Sequence, residues 1–182
     1  MKVYFSHGKE SGPWGFKIKR LAAIAGDRGC EVESIDYRDS MDPDLRVERL
    51  LARLGQEQGK YLLVGSSMGG YVSLVASATA EPGSVFLMAP ALYMPGCKIQ
   101  EYHSRCPHIE IVHGWSDDVI PVQHSIDYAR RADCTLHLIR GDHALNTSIE
   151  QVESIFATFL ETALRTDCTS SERSETGPDK QA

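Results

Sequence analysis

The chain has 182 residues, 42% of them apolar and 24% charged, with a formal net charge of -6. That length suits one domain able to bury its own core, and the acidic balance excludes the basic stripe that a nucleic acid backbone requires. The apolar runs fall far short of the ~18 residues of a membrane-spanning helix. The N-terminus, MKVYFSHG, reads as a strand rather than a leader, so the cytoplasm is the expected compartment. The five cysteines (Cys30, Cys97, Cys106, Cys134, Cys168) form no C-x-x-C pair and read as reduced thiols.

In chain order, β-rich runs at 3–6, 32–37, 61–65, 84–89, 109–113 and 135–139 alternate with helical patterns. Ile18, Leu21, Ala22 and Ala25 share one helical face, and Gly26 is the expected stop. Val47, Leu50, Leu51 and Leu54 repeat the pattern after Asp42-Pro43, an N-cap followed by a first-turn proline. Ile149, Val152, Phe156 and Phe159 form the last apolar face, entered through a possible Thr147-x-x-Glu150 capping box. This alternation predicts an α/β fold: a single-domain, doubly wound, six-stranded, mainly parallel sheet with helices on both faces and no cap domain. Residues 91–107 have no clean period and read as an irregular loop. The expected domain spans 1–165. Residues 166–182 contain no Leu, Ile, Val, Met or aromatic residue, and a disordered tail is expected there.

The first chemical signal is Gly65-Ser66-Ser67-Met68-Gly69, where an apolar strand gives way to a helix. A nucleophile on so sharp a turn needs small residues two positions before and after it. Gly65 and Gly69 fit when Ser67 is central, whereas centring on Ser66 would place Val64 where only a small residue fits. The second signal is His113-Gly114-Trp115-Ser116-Asp117-Asp118, in which either Asp117 or Asp118 could orient a base. The third is Gly141-Asp142-His143 after the final strand, with His143 the candidate base. His137 lies inside a strand, His124 in a helix, and His103 and His108 flank the irregular loop. The order nucleophile, acid, base matches that of α/β-hydrolases and differs from chymotrypsin and subtilisin. Ser6-His7-Gly8-Lys9 ends the first strand and offers the Lys9 amide as partner to the Met68 amide in an oxyanion hole. Gly8 is expected to permit the tight turn that aims Lys9 inward, and His7 to be structural.

Together SHGKESGPWG, GSSMGG, HGWSDDVIP and GDHAL resemble the α/β-hydrolase superfamily, in particular its small lidless YqiA/YcfP-like bacterial esterases, over about residues 1–164. The resemblance places the acid at Asp117, four residues after His113. It implies a Ser67–His143–Asp117 triad, no metal, no organic cofactor, and a small-molecule ester or thioester substrate. The reading from another class is a hydrolase-fold binding protein with weak or no activity. Oligomeric state is not legible. Trp14, Tyr93, Met94 and Trp115 are candidate pocket residues.

Overall fold

A computed structural model describes residues 1–172, with side chains through Thr166. Six strands form one parallel sheet: β1 (Lys2–Ser6), β2 (Glu31–Ile35), β3 (Tyr61–Ser66), β4 (Ser84–Met88), β5 (Ile109–Gly114) and β6 (Thr135–Ile139). Their order is β2-β1-β3-β4-β5-β6. The chain therefore winds from β1 to β2 on one side and crosses back to β3 on the other. The reversal lies at β1, and the crevice of such a sheet opens beyond the carboxyl ends of the strands at that point.

Among the described residues five α-helices cover the sheet: α1 (Phe16–Asp27), α2 (Pro43–Leu54), α3 (Met68–Ala80), α4 (Val122–Ala132) and α5 (Ile149–Glu172). Successive strand residues face opposite sides, and the core divides accordingly. Val3, Phe5, Leu62, Val64, Phe86 and Met88 pack with α1 and α5. Tyr4, Leu63, Val85, Leu87 and Ile111 pack with α2, α3 and α4. β3 and β4 are buried on both faces, which is why they read as unbroken apolar runs.

The helix ends follow local chemistry. Asp42 caps α2, its carboxylate accepting from the Asp44 and Leu45 amides at 2.9 and 3.3 Å, with Pro43 in the first turn. The stop of α1 differs from expectation, because Gly26 lies within the helix. Gly29 terminates it instead at φ 75°, where its own amide reaches Gly26 O and the Cys30 amide reaches Ala25 O. This is a Schellman closure, which a left-handed glycine permits. The capping box is also displaced, since Thr147 sits inside a 3-10 turn over Asn146–Ser148 that leads into α5. Finally, α5 runs to Glu172, into the segment expected to be a disordered tail from residue 166. A helix nucleated by a buried face propagates at one backbone bond per residue without further apolar contacts. The remainder of that segment, 173–182, lies outside the described residues.

No helix among the described residues is long and apolar enough to cross a membrane.

Candidate active site

Ser67 links β3 to α3 with φ 56° and ψ -120°, a conformation that L-residues avoid. Its amide donates to Met88 O at 2.9 Å, and its carbonyl accepts from the Gly70 and Ala91 amides at 2.9 and 3.0 Å. The flanking glycines are compulsory. A Cβ on Gly65 would stand 2.3 Å from Gly69 O, and one on Gly69 would stand 2.0 Å from Ser6 O. Those are backbone atoms and cannot yield. The strand thus reverses into the helix at the closest approach that backbone permits, lifting the Ser67 side chain above the sheet edge.

His143 stands on the loop after β6. Its Nε2 lies 3.0 Å from Ser67 Oγ and its Nδ1 lies 2.8 Å from Asp117 Oδ2. A carboxylate only accepts, so Nδ1 carries the proton and Nε2 is left as acceptor for the serine hydroxyl. Of the two acids left open by the residue pattern, Asp117 meets the imidazole; Asp118 is exposed.

The Asp117 carboxylate is held by four donors. Oδ1 accepts from the Val119 and Ile120 amides at 2.9 and 2.8 Å, while Oδ2 also lies 3.0 Å from His113 Nε2. Burial opposes ionisation of this carboxyl, but the Ile120 amide, His143 and the Val119 amide outweigh it and hold it below the usual carboxylate range. His113 is fully buried, and burial pushes it below the usual imidazole value. Its Nε2 faces Asp117 Oδ2 and Ile120 O, so Nε2 carries the proton and Nδ1 accepts from the Ser125 hydroxyl at 2.7 Å. His113 was visible in the sequence only as part of a motif, with no contact assigned.

Two loops must touch for this line to form, and a glycine missed in the sequence allows it. A Cβ on Gly114 would lie 2.4 Å from Gly141 O and 2.7 Å from Asp142 O. The Ser116 amide donates to Gly141 O at 2.9 Å, fastening the Asp117 loop to the His143 loop.

Lys9 and Met68 line the same cavity as Ser67 and His143, a cleft of about 1040 Å³. The expectation for Gly8 needs correcting. Its φ is not positive, and a Cβ there would meet Ser67 Cβ and Ser11 Oγ at an ordinary 3.4 Å. Glycine is not demanded by the turn, although a longer side chain would project toward Ser67. His7 is structural, as expected. Its Nδ1 donates to Gly8 O at 2.7 Å, its Nε2 accepts from the Tyr37 amide at 3.0 Å, and burial lowers its proton affinity. Three further histidines stand elsewhere: His108 and His137 both pair with Glu110, and His124 stacks edge-on to Tyr93.

Of the four candidate pocket residues, only Met94 lines the cleft. Tyr93 instead packs against Tyr102, and Trp14 and Trp115 are exposed outside the cleft lining. Phe16, Met41 and Val119 supply the apolar wall, each half-exposed on a loop or first turn, where no periodicity betrays it. Lys17 also faces the cleft. Its ammonium lies 3.5 Å from His143 O, and burial brings its pKa down to about 8 against the opposing pull of Asp117 and Asp142. The first part of the irregular segment, Ala91 and 94–98, lines the cleft and is pinned where the Ile99 amide donates to Tyr71 Oη and the Lys98 amide to Asp44 Oδ2.

Residues 1–102 match UPF0227, an uncharacterised protein family. This chain is a member of that family. A provisionally assigned hydrolase of the α/β superfamily from Xanthomonas campestris pv. campestris is 30% identical, at a TM-score of 0.80 over 88% of this chain and 98% of that one. Est1E from Butyrivibrio proteoclasticus shares the fold at 16% identity and a TM-score of 0.76, over 90% and 88% of the two chains. A lidless α/β serine hydrolase from Xanthomonas campestris does so at 19% identity and 0.63, over 88% and 81%. No curated protein matches the sequence. The UPF0227 chain therefore has the α/β-hydrolase fold, in a small form without a cap domain.

Gly114→Ala lowers stability by about 1–3 kcal/mol in urea unfolding, as an overpacked backbone contact does, whereas Gly8→Ala shifts the midpoint far less. Because the Asp117 carboxyl is held below its usual value, its unfolded form binds more protons. Its contribution is therefore present above about pH 4 and is lost as the pH falls through the lower folded value. The urea midpoint of the native protein accordingly falls more steeply with acidification than that of Asp117→Asn.

Proposed function

We propose that the protein is a serine hydrolase that cleaves a small-molecule carboxylic ester or thioester through an acyl-enzyme on Ser67. The observation that carries this reading is the hydrogen-bonded line from Ser67 Oγ to His143 Nε2 and from His143 Nδ1 to Asp117 Oδ2, standing on a strained strand-to-helix turn.

In the reaction, Ser67 Oγ attacks the acyl carbon as its proton passes to His143 Nε2. The imidazolium that forms is stabilised by Asp117, which stays ionised because its four donors favour the carboxylate. The oxyanion develops beside the Met68 and Lys9 amides, and the N-terminal end of α3 favours negative charge there. His143 then protonates the departing alkoxide or thiolate. A water enters, gives a proton to the same nitrogen and releases the acid, restoring Ser67. The cleft is open and its Phe16, Met41 and Val119 wall suits the apolar part of an acyl compound.

Steady-state hydrolysis of p-nitrophenyl and thioester substrates tests the assignment. Ser67→Ala and His143→Ala each lose about six orders of magnitude in kcat, and Asp117→Asn loses less. Full activity in folded Ser67→Ala would overturn it.

A further inference from the structure

Beneath the Ser6–Lys9 loop lies Arg46 of α2, the bulkiest of the fully buried side chains. A buried guanidinium ordinarily sits on a carboxylate. Every acceptor it meets here is instead a main-chain carbonyl. Nη1 donates to His7 O and Gly8 O at 3.4 and 3.2 Å, Nη2 to Lys9 O and Tyr37 O at 3.3 and 3.2 Å, and Nε to Ser40 O at 2.8 Å. The guanidinium also lies 5.3 Å from the Tyr37 ring centroid. Burial lowers its proton affinity, yet an arginine keeps its charge in any protein interior.

The consequence lies in peptide geometry. In a trans peptide the carbonyl and the following amide point in opposite directions. Holding His7 O, Gly8 O and Lys9 O toward Arg46 turns the amides of Gly8, Lys9 and Glu10 the other way. Gly8, Lys9 and Glu10 are cleft-lining residues, with the Gly8 backbone against Ser67. Gly8 O, the other end of the peptide that bears the Lys9 amide, is gripped twice, by Arg46 and by His7 Nδ1. Donation from a cation also polarises those peptide groups and strengthens their amides as donors.

We propose that Arg46 is the positioning residue of the oxyanion site, fixing the Lys9 amide toward the acyl oxygen through the carbonyl of Gly8. The inference rests on the serine hydrolase reading and deepens it. Arg46 touches no substrate; it acts through the loop. Because the amide meets the oxygen most strongly when negative charge develops, the effect belongs to turnover rather than to ground-state binding. Lysine cannot replace it, since a compact ammonium has only three donors and no planar fork.

The test is steady-state hydrolysis of a short p-nitrophenyl ester by the full chain, with kcat expressed per folded molecule from each variant's own thermal unfolding curve. Arg46→Lys lowers kcat by about 10²-fold, the loss typical of one oxyanion donor, with KM little changed. Arg46→Ala falls at least as far and regains turnover when guanidinium ion is added below denaturing concentration, whereas ammonium ion gives no recovery. Folded variants that keep the native kcat, or a loss confined to KM, would overturn the inference. If native hydrolysis survives Ser67→Ala, the hydrolase reading itself fails and takes this inference with it; if hydrolysis is Ser67-dependent and only the Arg46 result is negative, the reading stands and this inference alone falls.

Discussion

The backbone at Ser67 governs everything else in this molecule. A residue with a side chain held at positive φ, where only glycine is at ease, costs on the order of 1–3 kcal/mol and persists only where its surroundings over-determine it. Here they do: Met88 O takes the Ser67 amide, and the Gly70, Tyr71 and Ala91 amides converge on the Ser67 carbonyl. Gly65, Gly69 and Gly70 let β3, α3, the end of β1 and Pro90 close around the turn without side-chain clash. The strain is thus borne by the centre of the sheet, where β3 and β4 are buried on both faces.

Around that point the fold assembles charge in layers of decreasing exposure. The Ser67 hydroxyl opens to the cleft, the His143 ring is partly covered, and the Asp117 carboxylate and the His113 ring are fully buried behind it. A buried carboxylate is costly unless all its acceptor sites are filled. The Val119 and Ile120 amides fill one oxygen and the two imidazoles the other, so the Asp117 carboxylate is held rigidly and stays ionised beneath the His143 ring. On the opposite side of Ser67 a buried cation, Arg46, organises the carbonyls of the first loop. Anion and cation thus lie on opposite sides of the serine, each hydrogen-bonded by backbone or imidazole groups rather than paired with the other.

Much of this was legible in the sequence, for identifiable reasons. The strand runs and helical faces were readable because burial imposes period 2 or 3.6, and all six strands lie where the β-rich runs stand. Ser67 was readable because its steric demand fixes two glycines at set distances, and His143 because it follows the last strand. Arg46 was hidden because α2 is amphipathic and an arginine in such a helix reads as solvent-facing; its acceptors are main-chain atoms of two other segments and leave no trace in composition. Gly114 was hidden for a related reason, since its demand comes from a contact with the backbone of Gly141 and Asp142, in a loop distant in the chain. The Gly8 expectation failed because the backbone there keeps φ out of the positive range and leaves room for a Cβ, so the turn makes no demand for glycine. The apolar wall of Phe16, Met41 and Val119 was missed because loop residues carry no period.

The most direct test of the central claim is intact-mass and peptide mass spectrometry of the folded protein after exposure to a fluorophosphonate, a reagent that requires an activated serine. The account predicts a single adduct at Ser67, formed rapidly in the native protein and far more slowly in His143→Ala. A natively folded protein that acquires no adduct, or one labelled elsewhere with Ser67 untouched, would contradict it.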